Sequence, residues 1–200
     1  MKWRVGMGEY FPMFVSLKGR RICIAGAGKI AARRVEVLLS FGAELYITAP
    51  DCCEEMQALL FGEADQGKCR EEGLQKSGLS GQRAREEELT GEGLKRAGAG
   101  KFVYRRRRFE VSDLDGMDLM LAATDDTALN HEIALLCRER GLPVNNASCR
   151  SDCDFFFPAI VREEGLTIGV SSGGGDHRKV AQACGKLRRF FQMAFQDEEG

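Results

Sequence analysis

A glycine-rich hexapeptide, residues 26–31, has the spacing of a dinucleotide-binding turn. Its sequence is GAGKIA, which fits the pattern G-x-G-x-x-A. In that pattern the first glycine permits a tight turn, the second lets backbone amides approach a pyrophosphate, and the small third residue allows a helix to pack closely on a strand. No G-K-S/T follows, which excludes a Walker-type phosphate loop. The motif predicts a bound nicotinamide dinucleotide that contacts Gly26, Gly28, Lys29, Ile30 and Ala31.

The residues that would reach the ribose of this cofactor follow the next predicted strand. Many NAD sites place an acidic residue about 20 residues after the glycine turn to hold the ribose 2′-hydroxyl. Pro50 and Asp51 occupy that position here, and Asp51 fits either this role or the N-cap of a following helix. No basic residue stands beside them in the sequence to bind a 2′-phosphate. The sequence therefore favours NAD over NADP.

The elements around the glycine turn indicate an α/β fold with a Rossmann-type parallel sheet. Residues 20–25 form a nearly continuous apolar run, typical of a strand buried on both faces. The next segment has apolar residues at i, i+4, i+7 and i+8 and ends at Gly42, which predicts an amphipathic helix. Residues 45–49 predict a second strand. Strand, glycine turn, helix and strand in this order form the βαβ unit of a parallel sheet.

The rest of the chain predicts more of this sheet and then a smaller segment. Strands are predicted at 101–109, 117–123 and 143–147, a helix at 129–140, an antiparallel hairpin at 155–162 and 166–171, and a last helix at 178–195. We therefore expect a Rossmann domain at 10–150 and a small C-terminal hairpin-plus-helix dimerisation segment at 151–200. Residues 62–100 are rich in glycine and charge, which predicts an insertion without stable order and with transient helix near 83–89.

Composition limits the class of protein. Lys and Arg total 29 against 30 Asp and Glu, so no global positive field suggests a nucleic-acid partner. No apolar stretch approaches the roughly 20 residues that cross a bilayer, and the N-terminus has no apolar signal core, so we expect no membrane association and a cytoplasmic location. The eight cysteines should then be free thiols. Their spacing predicts no structural metal.

Several segments together resemble one family. They are Tyr10-Phe11-Pro12-Met13-Phe14 with Leu17-Lys18-Gly19, the glycine turn continued to Arg33-Arg34, Ala122-Ala123-Thr124-Asp125-Asp126 with Asn130, Val144-Asn145, residues 154–160, and Val170-Ser171-Ser172-Gly173-Gly174. This set resembles the precorrin-2 dehydrogenase domain of siroheme synthases. The resemblance implies NAD-dependent oxidation of precorrin-2 to sirohydrochlorin, in some members with metal insertion, and a homodimer formed through the C-terminal segment.

The resemblance also implies which residues form the site. Thr124, Asp125 and Asn145 would contact the cofactor. The tetrapyrrole substrate carries many carboxylates and needs local cations, and its expected contacts are Arg33, Ser172, Gly173 and His177. The arginines at 105–108 are further candidate cations, although charge on an edge strand also protects it from aggregation.

The position expected to carry catalysis departs from the family. An aspartate usually stands three residues after the asparagine that matches Asn145, and here that position is Ser148. A serine hydroxyl needs an activating partner to act as a base near neutral pH, and no histidine is close in sequence. His131 is predicted to be a surface or capping residue. Ser148 and Asp152 are therefore the candidate catalytic residues, with Asp154, Asp125 and Asp126 as other possible substitutes.

Three functions remain open at this point. The first is the dehydrogenase. The second is a non-catalytic dinucleotide- or tetrapyrrole-binding regulator of the same pathway, and the third is a metal chelatase without dehydrogenase activity. The glycine turn is compatible with all three, and the residue that distinguishes them is Ser148.

Overall fold

Two compact units make up the described part of the chain. The computed structural model describes residues 11–61, 88–92 (backbone only), 100–163, 165–173 and 175–195. The larger unit is Val15–Asp154, and the smaller one comprises residues 11–14 and the described residues from Phe155 onwards. The sequence placed this division after residue 150.

The larger unit is built on a six-stranded sheet. Its elements in chain order are β1 (Arg21–Ala25), α1 (Lys29–Ser40), β2 (Glu44–Thr48), α2 (Glu54–Phe61), β3 (Glu88–Glu92), β4 (Lys101–Arg105), β5 (Leu119–Ala122), α3 (Thr127–Arg140) and β6 (Val144–Asn146). The strand order is β3-β4-β2-β1-β5-β6, and every neighbouring pair is parallel except β3 with β4. The predicted Rossmann-type parallel sheet is confirmed.

Apolar side chains of β1 and α1 fill the centre of this unit. Ile22, Cys23 and Ile24 in β1 are almost fully buried because β2 and β5 flank this strand. The apolar stripe predicted for α1 faces the same core through Ala31, Val35, Leu38 and Leu39, all at most 1% exposed. Each fully buried Val, Leu or Ile side chain among them contributes about 1.5–3 kcal/mol to folding. This core holds β1 and α1 together and so positions the loop that joins them.

Strand β3 lies in the segment predicted to have no stable order. It pairs antiparallel with β4, with Glu88 opposite Arg105 and Glu92 opposite Lys101. The prediction therefore fails at residues 88–92, and 62–87 and 93–99 lie outside the described residues. Backbone pairing with an existing strand overrides local composition here, because strand stability depends strongly on neighbours. β4 is consequently an inner strand, which corrects the interpretation of its arginines as edge charges.

The smaller unit is a hairpin and a helix, as predicted. β7 (Ala159–Glu163) and β8 (Leu166–Val170) pair antiparallel, and α4 (His177–Ala194) follows. The core of this unit comprises the buried side chains of Val161, Cys184 and Phe191. Among the described residues, no helix combines the length and apolar character needed to span a membrane.

Candidate functional site

The glycine turn lies at the carboxyl end of β1, where the strand order of the sheet reverses. The chain crosses from β1 to β2 on one side, whereas β5 flanks β1 on the other. Ligands bind at such topological switch points of open α/β sheets. Gly26 has φ +102°, and a Cβ at this position would overlap the carbonyl oxygen of Ala123 in the loop after β5. Only glycine fits, because both the backbone conformation and the close approach exclude a side chain.

Gly28 differs from Gly26 because it faces open space. A Cβ built on Gly28 would meet nothing within 4 Å. Gly28 is the N-cap of α1, no side chain caps this helix, and its first turn contains no acidic residue. The N–H groups at the start of α1 therefore face an open and electropositive position that suits a pyrophosphate. Ala31 is fully buried and contributes the close packing of α1.

The exposed residues that follow the turn frame this position. Lys29 Nζ lies 3.1 Å from Glu55 Oε1 at the start of α2, and the Ile30 side chain is 51% exposed. An exposed isoleucine beside the turn offers an apolar contact to a flat ring. Arg33 is exposed one turn further along α1, where it is open to an anionic group.

The ribose edge contains a basic residue that is distant in the sequence. Pro50 and Asp51 are exposed after β2, as predicted. Because β4 pairs with β2, Arg106 reaches this edge, where its Nε donates to Pro50 O at 3.3 Å and its Nη2 lies 3.7 Å from Asp51 Oδ1. No basic residue is adjacent to Pro50 and Asp51 in the sequence, but the fold brings Arg106 beside them, so this expectation was wrong.

Two other arginines of this run bind a buried carboxylate. Arg105 Nη1 and Arg107 Nη2 lie 3.2 and 2.7 Å from Asp113 Oδ1, and the backbone N–H of Glu110 donates to Asp113 Oδ2 at 2.9 Å. Burial raises the pKa of Asp113, but these donors lower it more, and the net direction is downward. Arg105 and Arg107 therefore stabilise the larger unit through Asp113, and their role as substrate cations stays a prediction.

Asn130 organises the loop after β5. Its side chain is fully buried, its Oδ1 accepts from the backbone N–H and the hydroxyl of Thr124, and its Nδ2 donates to Thr124 O. Asp126 caps α3 by accepting from the N–H groups of Ala128 and Leu129. Thr124 is thereby fixed beside the glycine turn, and Asp125 is exposed next to it.

Ser148 is held by side chains from α3 and β6. Its Oγ lies 2.7 Å from Asn146 Oδ1, and its backbone N–H donates to the same oxygen at 2.9 Å. Asn130 Nδ2 also donates to Ser148 Oγ, at 3.2 Å. Asn130 therefore links Ser148 to Thr124, so both candidate residues belong to one hydrogen-bonded network at the carboxyl edge of the sheet.

Asp152 belongs to the same network and brings His131 into it. Asp152 is 5% exposed; its Oδ2 lies 2.7 Å from His131 Nδ1 and accepts from Asn146 Nδ2 at 3.1 Å. The hydrogen bond from His131 lowers the pKa of the Asp152 carboxyl, with further lowering from Asn146 and Arg138 against the effect of burial. The sequence missed His131, although its place in α3, directly after Asn130, is a signal that could have found it.

Two other predicted residues are turned into the interior or bound to backbone. Asn145 is 2% exposed, and its Nδ2 donates to Cys153 Sγ at 3.4 Å. Asp154 Oδ2 accepts from the backbone N–H of Val144 at 2.9 Å. Asn145 is therefore a buried residue of β6 in this structure.

The remaining predicted residues lie in the smaller unit. Gly173 has φ +64°, and its N–H donates to Ser171 Oγ. Ser172 Oγ accepts from the N–H of Asp176, which in turn caps α4 through the N–H of Lys179. His177 is the exposed first residue of α4. In the part of the chain that the structure describes, no group of three or more His, Cys, Asp or Glu side chains is placed to hold a metal ion.

Comparison with known proteins places these features in a family. The profile of the family described as "Putative NAD(P)-binding" matches residues 13–159. The "Probable multifunctional siroheme biosynthesis protein" of Ruminiclostridium josui is 31% identical over 91% of this chain and 28% of its own length. A siroheme synthase of Pseudomonas entomophila is 33% identical over 96% of this chain and 34% of its own length. The chain thus spans about a third of these relatives, or less.

A solved structure has the same fold. It is described as "SirC, precorrin-2 dehydrogenase", has a TM-score of 0.60 and 20% sequence identity to this chain, and the match covers 91% of this chain and 71% of that one. At this identity the likeness concerns the fold.

Proposed function

Because the chain belongs to the NAD(P)-binding family that forms part of siroheme synthases, we propose that it oxidises precorrin-2 to sirohydrochlorin with NAD as the hydride acceptor. The observation that carries this proposal is the open turn at Gly28, with the Thr124 and Ser148 network at the same edge of the sheet. The resemblance to precorrin-2 dehydrogenase domains suggests the substrate, and the siroheme names of the relatives support it. The product lies on the route to siroheme.

The geometry of the turn fits the cofactor. A dinucleotide needs an open approach to backbone N–H groups, and Gly28 provides it without a competing cap on α1. Bound NAD would supply the hydride acceptor. Gly26, Gly28 and Lys29 would hold its pyrophosphate, while Ile30 and Thr124 would orient it.

The ribose edge supports NAD more than NADP. Asp51 is exposed and can accept a hydrogen bond from a ribose 2′-hydroxyl. Arg106 is the nearby cation, but its guanidinium already contacts Pro50 O and the Asp51 carboxylate. A 2′-phosphate would have to approach Asp51, and the like charges would repel each other.

Substrate binding is proposed separately for each unit. In the larger unit, Arg33 on α1 would pair with a substrate carboxylate. In the smaller unit, taken by itself, Ser172, Gly173 and His177 are the proposed contacts of the tetrapyrrole. We also propose that the chain forms a homodimer through the smaller unit, because Phe190 and Met193 on α4 are 62% and 74% exposed and such apolar surface favours association.

A second candidate is a non-catalytic binding protein of the same pathway. The observation that favours it is Ser148, whose hydroxyl faces Asn146 Oδ1 where the family usually has a carboxylate. Such a protein would bind NAD or the tetrapyrrole and leave the substrate unchanged. The metal chelatase of the sequence analysis has no comparable observation in its favour.

The decisive experiment is anaerobic incubation of the protein with precorrin-2 and NAD, followed by absorbance of NADH and sirohydrochlorin. We expect both to appear together, and NADP to be a poorer acceptor. The matched control is Gly28→Val, which should make neither product. Binding of NAD or precorrin-2 without any NADH would overturn the dehydrogenase and support the second candidate.

A further inference from the structure

We propose that His131 is the proton acceptor of this site and that Asp152 is the residue that positions it. The inference rests on the proposed dehydrogenase function. Oxidation of the substrate removes a hydride, which passes to NAD, and a proton, which needs a base. Three groups of the hydrogen-bonded network could take this role, namely Ser148, Asp152 and His131, and their contacts distinguish them.

Ser148 is excluded as the base by the direction of its hydrogen bonds. Asp152 is ionised and can only accept, so the Asn146 atom that faces it is Nδ2 and the atom that faces Ser148 is Oδ1. Ser148 must therefore donate its hydroxyl proton to Asn146 Oδ1. An amide oxygen does not take up a proton near neutral pH, so Ser148 remains a neutral hydrogen-bond acceptor towards the outside.

Asp152 is excluded by burial and by its own partners. It is 5% exposed, and its two oxygens face His131, Asn146 and Arg138. The donors that surround it hold its pKa below the usual range, with His131 first among them. A weakly basic carboxylate without access to the surface cannot collect a proton from a substrate.

His131 combines access with the correct tautomer. Its side chain is 56% exposed. Because the Asp152 carboxylate accepts at 2.7 Å, His131 Nδ1 carries the hydrogen, and Nε2 is left as the basic nitrogen. A carboxylate behind an imidazole also stabilises the imidazolium that forms when Nε2 takes a proton. His131 is joined to Ser148 through Asp152 and Asn146, so it belongs to the same hydrogen-bonded network.

The step balances with these groups alone and the proposed cofactor. The substrate loses a C–H hydride to NAD and one proton to His131 Nε2, and a new double bond forms in the substrate. The imidazolium is paired with Asp152, whose far oxygen lies 3.5 Å from Arg138 Nη2. Among the described residues, Arg138 is the other charged group in contact with Asp152. The exposed ring then releases its proton to solvent.

The test compares His131→Asn with the wild type in steady-state oxidation of precorrin-2. Asparagine keeps an N–H donor for Asp152 and removes the base. We expect kcat to fall about 100-fold or more, with NAD affinity by calorimetry unchanged. The acid limb of the wild-type pH profile should disappear in this variant. Glu132→Gln, at the exposed neighbouring position, is the control and should match the wild type.

A positioning role for Asp152 has a separate readout. Asp152→Asn should lower kcat with little change in KM, because the His131 ring loses the carboxylate that orients it. If His131→Asn lowers the melting temperature, His131→Gln is measured in its place. A wild-type rate and an unchanged acid limb in the His131 variant would overturn this inference and leave the dehydrogenase standing. A wild type that forms no NADH would overturn the proposed function and this inference with it.

Discussion

The glycine turn and the Ser148 network lie at one edge of the same sheet but are built from different parts of the chain. The Ser148 network comprises Thr124, Asn130, His131, Asn146, Ser148 and Asp152. Backbone forms the turn: Gly26 and Gly28 act through the absence of a side chain. The network consists of side chains from α3, β6 and the segment after β6, joined by hydrogen bonds between residues up to 21 positions apart. The turn is therefore formed by consecutive residues, whereas the network forms only when the fold brings distant residues together.

This contrast makes the two regions differ in how they tolerate change. A side chain at Gly26 would disrupt the turn, because backbone atoms of Ala123 and Thr124 occupy the space that its Cβ would need. A substitution in the network should lower stability only partly, because each hydrogen bond contributes only about 0.5–1.5 kcal/mol, or more where a charge takes part.

Gly26→Ala should have the largest effect. A Cβ there would overlap Ala123 O, and φ of +102° is strained for any side chain. We expect the free energy of unfolding to fall by about 3 kcal/mol, measured by urea denaturation. Gly28→Ala is the matched control and should stay within about 0.5 kcal/mol of the wild type. Equal losses in both variants would mean that the two glycines do not have separate roles.

Gly28→Val should affect binding and leave the fold intact. The branched side chain would fill the space through which a pyrophosphate approaches the N-terminus of α1. Calorimetric titration should show at least about 100-fold weaker NAD binding, or about 2.7 kcal/mol, with an unchanged melting temperature. Gly185→Val on α4 also replaces a glycine whose Cβ has open space, and it should bind NAD normally. Undiminished affinity at Gly28→Val would place the cofactor elsewhere.

Asp152→Asn should cost less, and its cost should depend on pH. The folded state lowers the pKa of Asp152, chiefly through the hydrogen bond from His131. Such a carboxyl stabilises the protein above its unfolded pKa of about 3.9, and this stabilisation is lost as the pH falls through the folded value. We expect a loss of about 1.5 kcal/mol at pH 7 that shrinks steadily in acid. A difference that is constant with pH would show that ionisation of Asp152 plays no part.

Asp51→Asn should have the smallest effect. It removes the carboxylate beside Arg106 and would leave that guanidinium more available to a 2′-phosphate. The ratio of NADP to NAD affinity should rise about fivefold, since an exposed pair of this kind is worth up to about 1 kcal/mol. Asp115→Asn, at another exposed aspartate, is the control. A ratio equal to that of the wild type would remove Asp51 from the ribose site.

The sequence predicted the parts of the site that depend on local order. Strand, glycine turn and helix follow one another along the chain, and apolar spacing fixes which face of α1 is buried. The positions of Arg106 and His131 could not be found in this way. Arg106 reaches Asp51 only because β4 lies beside β2, and His131 reaches Asp152 only because α3 packs near the end of β6. For the same reason the sequence did not show that Arg105 and Arg107 pair with Asp113 in the folded chain.

Strand β3 covers the edge of β4, although it lies in the segment 62–100 that was predicted to have no stable order. Parallel sheets expose unpaired N–H and C=O groups at their outer strands, and such an edge recruits strands from other molecules. The five residues Glu88–Glu92 occupy the edge of β4 in the antiparallel sense. Deleting them would therefore leave β4 as the edge strand with unpaired backbone groups, and we expect the protein to aggregate during folding.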